Sequence, residues 1–320
     1  MLDPGMLTAA VLLLTVSGAL ALGGAKDRKL LHSALFDNYT TSVRPCLDYS
    51  RPTNVTAKLN VGTIMGLDIK NQVLSINGFI SFKWIDELLT WNPDDYGGIK
   101  DMVVPQTIIW KPDMAVYNSL EDDIYLGGEN LLADVNFKGE VRWEPGINLD
   151  ATCQVDISQY PFDVNVCRLE VTSWMNDNSS VVLLLADEPI RMSGSVTNSQ
   201  FWITADGAEI LVDDFADKFY STIYFHLKLK RRPAYLAMTL LTPVTLLAVL
   251  CVVSFLLTPE EPEKVSVAIT VLLSFTVFLG VIDADLPETS DNMSLIVVYV
   301  DTLLLLSFLS VAGNALVIII

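Results

Sequence analysis

The sequence predicts an all-β sandwich with one N-terminal helix, followed by an α-helical transmembrane bundle. The first observation is a shift in hydropathy: up to about His226 apolar residues alternate with charges and turn formers, whereas from Pro233 onward long stretches carry no charge. The second is the length of these uncharged stretches, since each is close to what a helix needs to cross a hydrocarbon core of about 30 Å. Such a shift separates a domain folded in water from one folded in lipid. We therefore divide the chain into a leader of residues 1–22, a first domain of residues 23–232 and a second of residues 233–320.

The leader contains an apolar run from Leu7 to Leu22 that ends in small residues, which is typical of a secretory signal peptide. Its first residues include Asp3 and no Lys or Arg, so an uncleaved membrane anchor is the alternative. Both alternatives send the chain through the secretory pathway. Three sequons for N-glycosylation agree with an extracellular first domain, at Asn38, Asn54 and Asn178.

The first domain begins with a helix-like stretch from Lys26 to Tyr39 and continues in short β-rich runs separated by turn signals. Many short strands at this spacing predict an antiparallel, immunoglobulin-like sandwich. The clearest runs are residues 57–64, 72–84, 140–143, 163–172, 180–185 and 222–230.

Three membrane helices are predicted, at about residues 233–257, 263–284 and 294–320. Buried core helices are the alternative, but three apolar segments in a row without an amphipathic face disfavour them. The basic residues before the first span would by themselves favour a cytoplasmic face, although a long domain is translocated largely regardless of charge. The signal peptide and the sequons therefore decide the orientation, with residues 258–264 inside and 283–291 outside.

Two of the four cysteines, Cys153 and Cys167, enclose residues 154–166. In an oxidising compartment cysteines this close in sequence are natural disulfide partners. Closing a loop of this size contributes about 3 kcal/mol in the chain-entropy model. Cys251 lies in an apolar run and is expected to be a small buried hydrophobe. Cys46 has no evident partner, which leaves a free thiol or an intersubunit bridge open.

The enclosed loop has an aromatic-Pro-Phe-Asp centre, Tyr160-Pro161-Phe162-Asp163. With this loop the chain resembles the Cys-loop family of pentameric ligand-gated receptors, and within it the nicotinic acetylcholine receptor branch. Two further segments carry the resemblance. Trp110-Lys111-Pro112-Asp113, followed by Tyr117-Asn118-Ser119, is similar to a binding-loop motif, and EKVSVAITVLLSFTVF from Glu263 is similar to the pore helix. The resemblance covers nearly the whole mature chain.

The resemblance implies an agonist site between subunits, in which aromatic rings hold a quaternary or protonated amine. A cation over a ring face gains about 0.5–2 kcal/mol, depending on desolvation. Carried over by motif, the ring residues are Tyr117, Trp174 and Tyr220, with Phe79 on the complementary face. An ordinary core position is the alternative for each of them. Four other aromatics are expected in the core or the interface framework: Trp84, Trp91, Trp110 and Phe162.

The capping loop of this site departs from the family pattern. Principal nicotinic subunits carry adjacent cysteines at its tip, but this chain reads DDFADKFYSTIYF from Asp213 and has none there. The loop is also expected to be short. The resemblance therefore does not identify acetylcholine as the agonist, and another small amine or a ligand outside the amines stays open.

The second predicted membrane helix carries a stripe of residues spaced three or four apart, which places them on one face. The stripe consists of Glu263, Ser266, Thr270, Leu273, Val277 and Gly280. Polar groups are unfavourable against lipid, so this face is predicted to line a lumen. Leu273 would form an apolar constriction there, with Val277 as a second candidate. A helix-packing face of small residues is the alternative.

Charges at the ends of this helix indicate the sign of the permeating ion. Five copies of Glu263, backed by two preceding glutamates, would form an acidic ring at the inner mouth, and Asp283 another outside, as in cation-selective pores. Lys264 is opposite in charge and is expected to turn away from the lumen. Pro262 resembles the anion-selective branch of the family. We give the glutamate more weight, because charge acts directly on ions whereas proline acts through local backbone shape.

The resemblance also implies a junction that couples the two domains. The motif Tyr160-Pro161-Phe162-Asp163 would press on residues 285–291, which include Pro287. Charged residues from neighbouring segments complete the junction: Asp68, Lys70, Arg231 and Arg232. Agonist binding would shift the balance of closed and open states by the difference in its affinity for them.

The sequence thus predicts a subunit of a neurotransmitter-gated, cation-selective channel in the plasma membrane. Its expected partners are four further subunits in a homo- or heteropentamer, a small-molecule agonist with amines as candidates, membrane lipid and permeating cations. The alternatives are an anion-selective channel and a non-conducting ligand-binding or regulatory subunit, the latter motivated by the absence of the family's fourth membrane helix up to Ile320.

Other classes are disfavoured. The two histidines lie far apart and no nucleophile motif, metal cluster or phosphate loop occurs, so neither an enzyme nor a cofactor or metal site is expected. A formal net charge of -18 disfavours nucleic acid as a partner.

Overall fold

The computed structural model describes residues 24–128, 130–194, 198–254, 263–289 and 292–319. The predicted signal peptide, residues 1–22, lies outside this part, as do Pro262 and the two glutamates before it. The described chain opens with helix α1 (Ala25–Phe36), continues in eleven strands and closes with three apolar helices. The predicted sandwich with one N-terminal helix and a membrane bundle is confirmed.

The larger of two sheets contains seven strands in the order β3-β5-β6-β2-β1-β9, with β7 also paired to β2. Its pairs are antiparallel except for β1 with β9. The strands are β1 (Thr53–Asp68), β2 (Val73–Thr90), β3 (Asp101–Pro105), β5 (Leu132–Asn136), β6 (Lys138–Trp143), β7 (Gly146–Thr152) and β9 (Val181–Met192). β1 alternates buried and half-exposed or exposed residues over most of its length, because successive side chains of a strand point to opposite faces.

The second sheet has the order β10-β11-β8-β4. Its strands are β4 (Met114–Val116), β8 (Val164–Ser173), β10 (Phe201–Phe215) and β11 (Lys218–Arg231). The largest fully buried side chains come from both sheets: Trp84, Trp143, Phe82, Phe201 and Phe225. Trp91 and Trp110 are buried as well, as expected for framework residues, whereas Phe162 is exposed.

The three apolar helices are α2 (Ala234–Val253), α3 (Glu263–Asp285) and α4 (Leu295–Ile319). Each is long and apolar enough to cross a membrane. α2 contains a π-helical turn over Ala237–Leu241, directly before Pro243. A proline has no amide hydrogen for the regular helical bond, which accounts for an irregular turn at this point. The predicted end of the first span at residue 257 lies outside the described part.

Two features at the surface bear on the predictions. Asn38 and Asn54 are exposed, whereas Asn178 is half-buried and its side-chain oxygen accepts a hydrogen bond from Ser221. Glycosylation of all three stays a prediction. Cys46 and Cys251 are both half-buried free thiols, so Cys251 is less enclosed than expected.

Candidate functional site

A cavity of about 630 Å³ lies beside the point where β8 ends and β10 turns into β11. Three of the predicted ring residues line it, namely Tyr117, Trp174 and Tyr220. The ring of Trp174 lies 6.4 Å from that of Tyr117 and 6.3 Å from that of Tyr125, centre to centre. Because Tyr117 is 63% exposed and Trp174 41%, neither is a core residue of this chain. The structure therefore brings these side chains together at an open surface.

Asp113, the last residue of the Trp110-Lys111-Pro112-Asp113 segment, holds the backbone around Trp174. The hydroxyl of Ser173 donates to Asp113 Oδ1 at 2.6 Å, and the amide of Asn176 donates to the same carboxylate. The backbone amide of Trp174 itself donates to the Asp113 carbonyl at 3.2 Å. Asp113 is thus a positioning residue for the indole, a role that the motif alone did not reveal.

Asn118 fixes Tyr117 to the four-stranded sheet in a similar way. Its buried amide donates to the carbonyls of Thr152 at 3.1 Å and Arg168 at 2.9 Å, and its oxygen accepts from the Glu170 amide at 3.0 Å. The Tyr117 amide donates to the Glu170 carbonyl at 2.8 Å. The loop that carries Tyr117 is therefore bonded to β8 at several points.

The hairpin between β10 and β11 covers one side of the cavity. Its turn consists of Ala216 and Asp217, which both have left-handed backbones, with φ of 53° and 63°. Two consecutive residues of this kind give the tightest common hairpin connection. The capping loop is thus short, as expected. Three residues directly before this turn line the cavity: Asp213, Asp214 and Phe215.

The cavity is acidic. Glu170, Asp213 and Asp214 line it, and no basic side chain does so within the described part of the chain. Glu170 is buried and its carboxylate receives a 2.7 Å bond from Arg168, whose guanidinium lies 5.3 Å from the ring centre of Tyr224. Burial, and then the negative charges of Asp213 and Glu170, raise the pKa of Tyr224, so its phenol stays neutral at physiological pH.

Sequence reasoning missed the carboxylates and the rings of Tyr125 and Tyr224. Glu170 lies in the same strand as Cys167, but nothing in the spacing indicates that its side chain reaches the cavity. Phe79 lies on β2 of the other sheet, is 38% exposed and does not line the cavity. Its predicted role on the complementary face of a neighbouring subunit stays a prediction.

The opposite end of β8 meets the membrane helices. The predicted disulfide between Cys153 and Cys167 is present. Asp163 and Arg231 form a buried ion pair, with Nε to Oδ1 at 2.6 Å and a second bond of 3.2 Å. Asn165 donates to the same carboxylate at 2.7 Å, and the Arg231 guanidinium lies 4.6 Å from the Phe201 ring centre. The carboxylate and the guanidinium thus each have further partners, which a buried ion pair needs to offset the cost of removing both charges from water.

Two hydrogen bonds join this end to the helices. Lys70 Nζ donates to the carbonyl of Ala284 in α3 at 3.1 Å, and the amide of Leu295 in α4 donates to the Ser158 carbonyl at 3.1 Å. Beside them a cavity of about 680 Å³ is lined by Tyr160 and Asp285, among others.

The remaining predicted junction residues contribute unequally. Asp68 accepts two bonds from Asn71 and so caps its own turn, and Arg232 stacks on Trp202 instead of joining the ion pair. Pro161 and Pro287 are buried, whereas Phe162 is 55% exposed. Two motif side chains take part in the described junction: Asp163 pairs with Arg231, and the Tyr160 ring lies 5.2 Å from the Arg231 guanidinium.

The predicted stripe on α3 is exposed throughout. Glu263, Ser266, Thr270, Leu273, Val277 and Asp283 all lie on the open side of the helix. The buried side repeats at Lys264, Ala268, Val271, Phe275 and Ile282. Lys264 thus points into the bundle and Glu263 away from it, the relation expected if the exposed face lines a lumen.

A β-sandwich with a surface cavity, joined to membrane-length helices beside a disulfide-closed loop, is the architecture of membrane receptors with an extracellular domain. Residues 28–233 match the family model for the neurotransmitter-gated ion-channel ligand binding domain, and residues 240–320 match that for the transmembrane region. The chain belongs to the neurotransmitter-gated ion-channel family. It is accordingly a plasma-membrane protein with its sandwich outside the cell, and not an enzyme.

Curated relatives agree with this assignment. Neuronal acetylcholine receptor subunit alpha-5 of Rattus norvegicus is 33% identical over 273 residues, 85% of this chain and 60% of that protein. Subunit alpha-3 of Homo sapiens is 30% identical over 289 residues, with 88% and 56% covered. Ligand-gated ion channel 4 of Caenorhabditis briggsae is 30% identical over 303 residues, with 92% and 48% covered. The chain thus spans about half to three fifths of the length of these relatives.

Proposed function

We propose that the chain is one subunit of a pentameric, cation-selective channel that a small protonated amine opens. The observation that carries this proposal is the cavity that combines aromatic rings with carboxylates and has no basic lining residue in the described chain. Ring faces and carboxylates both attract a cation, and partial desolvation strengthens both attractions. An anionic agonist would instead meet the like charges of Asp213 and Asp214, since Glu170 is already paired with Arg168.

The cavity is open on one side, as a site between subunits would be. Its rings come from the loop after β4, the end of β8 and β11. Phe79 lies on the other sheet, so in this proposal it reaches the agonist only from a neighbouring subunit. Five copies of the chain, or of the chain with related subunits, would repeat this arrangement around a central axis.

The membrane helices support a cation pore. In a pentamer whose lumen is lined by the exposed side of α3, Glu263 and Asp283 form acidic rings at the two mouths and Leu273 an apolar constriction between them. The burial of Lys264 removes its charge from that surface. The net field along the path would then favour cations.

Currents from cells that express the chain, alone and with nicotinic-like partner subunits, test the proposal. A panel of primary amines, quaternary amines, amino acids and pH steps should give a current with a cationic amine and with no anionic ligand. The reversal potential in diluted salt should follow sodium. A reversal potential that follows chloride would identify the anion-selective alternative. Amine binding at the cell surface without current in any combination would identify a non-conducting subunit.

A further inference from the structure

The hairpin beside the agonist cavity extends beyond the rest of its sheet. We call residues 211–221 the capping hairpin. β8 pairs with β11 only up to Thr222, so residues 218–221 pair with β10 alone. Residues 211–219 are all exposed. Because a hairpin of two strands is marginally stable by itself, contacts at its base help to set its position over the cavity.

A β-bulge lies in β10 just before the capping hairpin. The register with β11 shifts after Ala205, so that Asp206 and Gly207 together stand opposite one residue, His226. Gly207 has a left-handed backbone with φ of 101°, which a residue without a Cβ adopts at little cost. A bulge leaves one residue outside the ladder and bends its strand. The β10–β11 ladder is therefore interrupted at the base of the capping hairpin, and the hairpin can tilt about this point.

A histidine–carboxylate pair joins the two strands beside the bulge. His226 Nε2 lies 3.2 Å from Glu209 Oε1. Glu209 is the direct partner of Tyr224, so the pair crosses the ladder diagonally, from the hairpin side of the bulge to the residue opposite it. The His226 side chain is 24% exposed and that of Glu209 57%. Because an imidazole gains a proton near physiological pH, this contact is a hydrogen bond at higher pH and an ion pair at lower pH.

Charged and titratable groups of the neighbouring strands surround His226. It lies on the outer face of β11, since both of its neighbours in the strand are fully buried. Arg168, its direct partner on β8, pairs with Glu170 at 2.7 Å. Glu209 is thus the carboxylate that His226 contacts, while Arg168 is neutralised by another. The groups on this face and in the bulge are Tyr224 and Lys228 of β11, Arg168 and Glu170 of β8, and Asp206 and Glu209 of β10. β9, which packs against β10 and β11 from the other sheet, carries Asp187, Glu188 and Arg191.

A second connection holds the tip of the capping hairpin and keeps its charges near neutral pH. Lys218 pairs with Asp177 at 3.4 Å. Hydrogen bonds from Ser179 hold the pKa of Asp177 below its ordinary value, so this carboxylate stays charged. Of these two connections, the His226–Glu209 pair is therefore the one that changes its charge between about pH 5 and 8.

We propose that His226 and Glu209 form a proton-dependent latch, in which protonation of His226 holds the capping hairpin over the cavity and raises the affinity for the agonist. The added attraction of the ion pair opposes tilting at the bulge, whereas neutral His226 leaves only a hydrogen bond. Proton and agonist then favour the same hairpin position, and linkage requires each to raise the affinity for the other by the same factor. The effect on the agonist rests on the proposed function, since it needs an agonist in this cavity, whereas the latch itself does not.

Hydrogen–deuterium exchange of the purified full chain, without agonist, tests the latch directly. Protection of the backbone amides of residues 208–215, corrected for the intrinsic exchange rate at each pH, should rise about three-fold from pH 7.5 to pH 5.5 in the wild type. His226→Gln and Glu209→Gln should each remove this rise. His32→Gln is the matched control and should keep it, because His32 is the other histidine of the chain and lies exposed on α1. Equal rises in the wild type and both folded glutamine variants would overturn the proposal.

Currents evoked by tetramethylammonium, whose charge does not depend on pH, test the effect on the agonist cavity. From pH 7.5 to pH 5.5 the half-activating concentration should fall about three-fold more in the wild type than in His226→Gln, which corresponds to about 0.7 kcal/mol. If exchange shows the latch but no cationic amine gives a current, the latch stands and the proposed function fails. Currents with the same pH dependence in the wild type and in His226→Gln would overturn the coupling of the latch to the agonist.

Discussion

Strands β8 and β11 are paired from Thr172 and Thr222 at one end to Val164 and Lys230 at the other. The first end carries the cavity of about 630 Å³. The rings of Trp174, Tyr220 and Tyr117 line this cavity together with carboxylates, and the ring of Trp174 is half-exposed. Flanking the second end lie Asp163 and Arg231, both buried and bonded to each other. The same two strands thus carry an open, acidic surface at one end and a buried, mutually neutralised ion pair at the other.

This difference indicates how the two ends divide their roles. At the end beside the cavity, polar groups stay accessible, so a bound ligand can form interactions there that the free protein does not make. At the membrane end the buried charges of Asp163 and Arg231 neutralise each other. Two hydrogen bonds to the helices use the backbone carbonyls of Ala284 and Ser158. The β8–β11 ladder runs between the two ends without a register shift. A continuous, rigid element of this kind can carry energetic coupling between a pocket and a membrane domain.

The largest expected effect comes from opening the closed end. Arg231→Ala leaves the Asp163 carboxylate buried without its cation and should lower the free energy of unfolding by about 3–5 kcal/mol. Denaturant titration of the purified chain, together with surface expression, measures this. Arg142→Ala, which breaks the exposed pair with Asp134, is the matched control and should cost about 0–1 kcal/mol.

A pair of substitutions tests the cause. Asp163→Asn combined with Arg231→Met leaves no buried charge alone, so it should recover part of the loss. If Arg231→Ala cost no more than Arg142→Ala, the membrane end would not be the fixed end of the comparison.

The buried carboxylate of Asp86 has no ion-pair partner among the described residues, in contrast to that of Asp163. Asp86 accepts a 2.6 Å bond from the Tyr39 hydroxyl and is fully buried, and burial raises its pKa to about 6. Since this exceeds the ordinary value of 3.8, the folded chain keeps a proton that the unfolded chain loses. The stabilisation is complete below about pH 4 and is lost as the pH rises through about 6, by at most about 3 kcal/mol.

Asp86→Asn isolates this effect, because its amide does not titrate. The free energy of unfolding of the wild type relative to this variant should fall between about pH 4 and about pH 6 and then level off. Denaturant titrations at several pH values give the difference directly. A difference that stayed flat over this range would mean that Asp86 is ionised in the folded chain.

At the open end, Trp174→Ala should weaken the response to a cationic agonist about 30-fold, which corresponds to about 2 kcal/mol for a desolvated cation over an indole. Trp174→Phe keeps a ring and should lose less. Concentration–response curves at matched surface expression measure both. Equal potency of the alanine variant and the wild type would contradict the assignment of the cavity as the agonist site.

The smallest expected shift lies beyond the junction. Leu273→Ser puts hydroxyls at the proposed constriction, so the closed state should lose part of its dewetting barrier and the agonist concentration for half-activation should fall about ten-fold, or about 1.4 kcal/mol. Leu246→Ser on α2 is the control, since Leu246 is 60% exposed and Leu273 59%. If both variants behaved alike, the exposed side of α3 would not be the gate.

Glu263→Ala removes the proposed acidic ring at the inner mouth of the pore. It should therefore lower the preference for cations, measured by reversal potentials, and leave agonist potency nearly unchanged.

Strong local patterns made most of the fold predictable. Uninterrupted apolar length gave the three membrane helices, and the close cysteine pair gave the disulfide, because both depend on few residues that are near in sequence. Boundaries were less accurate: α1 ends at Phe36 rather than Tyr39, and β1 and β2 extend well beyond the predicted runs. Pairing with neighbouring strands, which the local pattern does not contain, sets those ends.

The site was predictable where a motif fixed it and not where the tertiary fold did. Tyr117 and Trp174 follow recognisable segments at short distances. Glu170 and Asp213 are more than forty residues apart in the sequence, and only the β8–β11 pairing and the hairpin place them at one cavity. The positioning role of Asp113 depends on a loop sixty residues away, so no periodicity could have revealed it.

The tight hairpin beside the cavity has a chemical consequence. Its tip is made of Ala216 and Asp217 and contains no sulfur, while the disulfide of the described chain closes the loop at the membrane end. A thiol reductant therefore has no covalent target at the hairpin, and its target lies on the other side of the strand ladder. Reduction would open the loop that engages the helices, whereas the hairpin would keep its covalent bonds in either redox state.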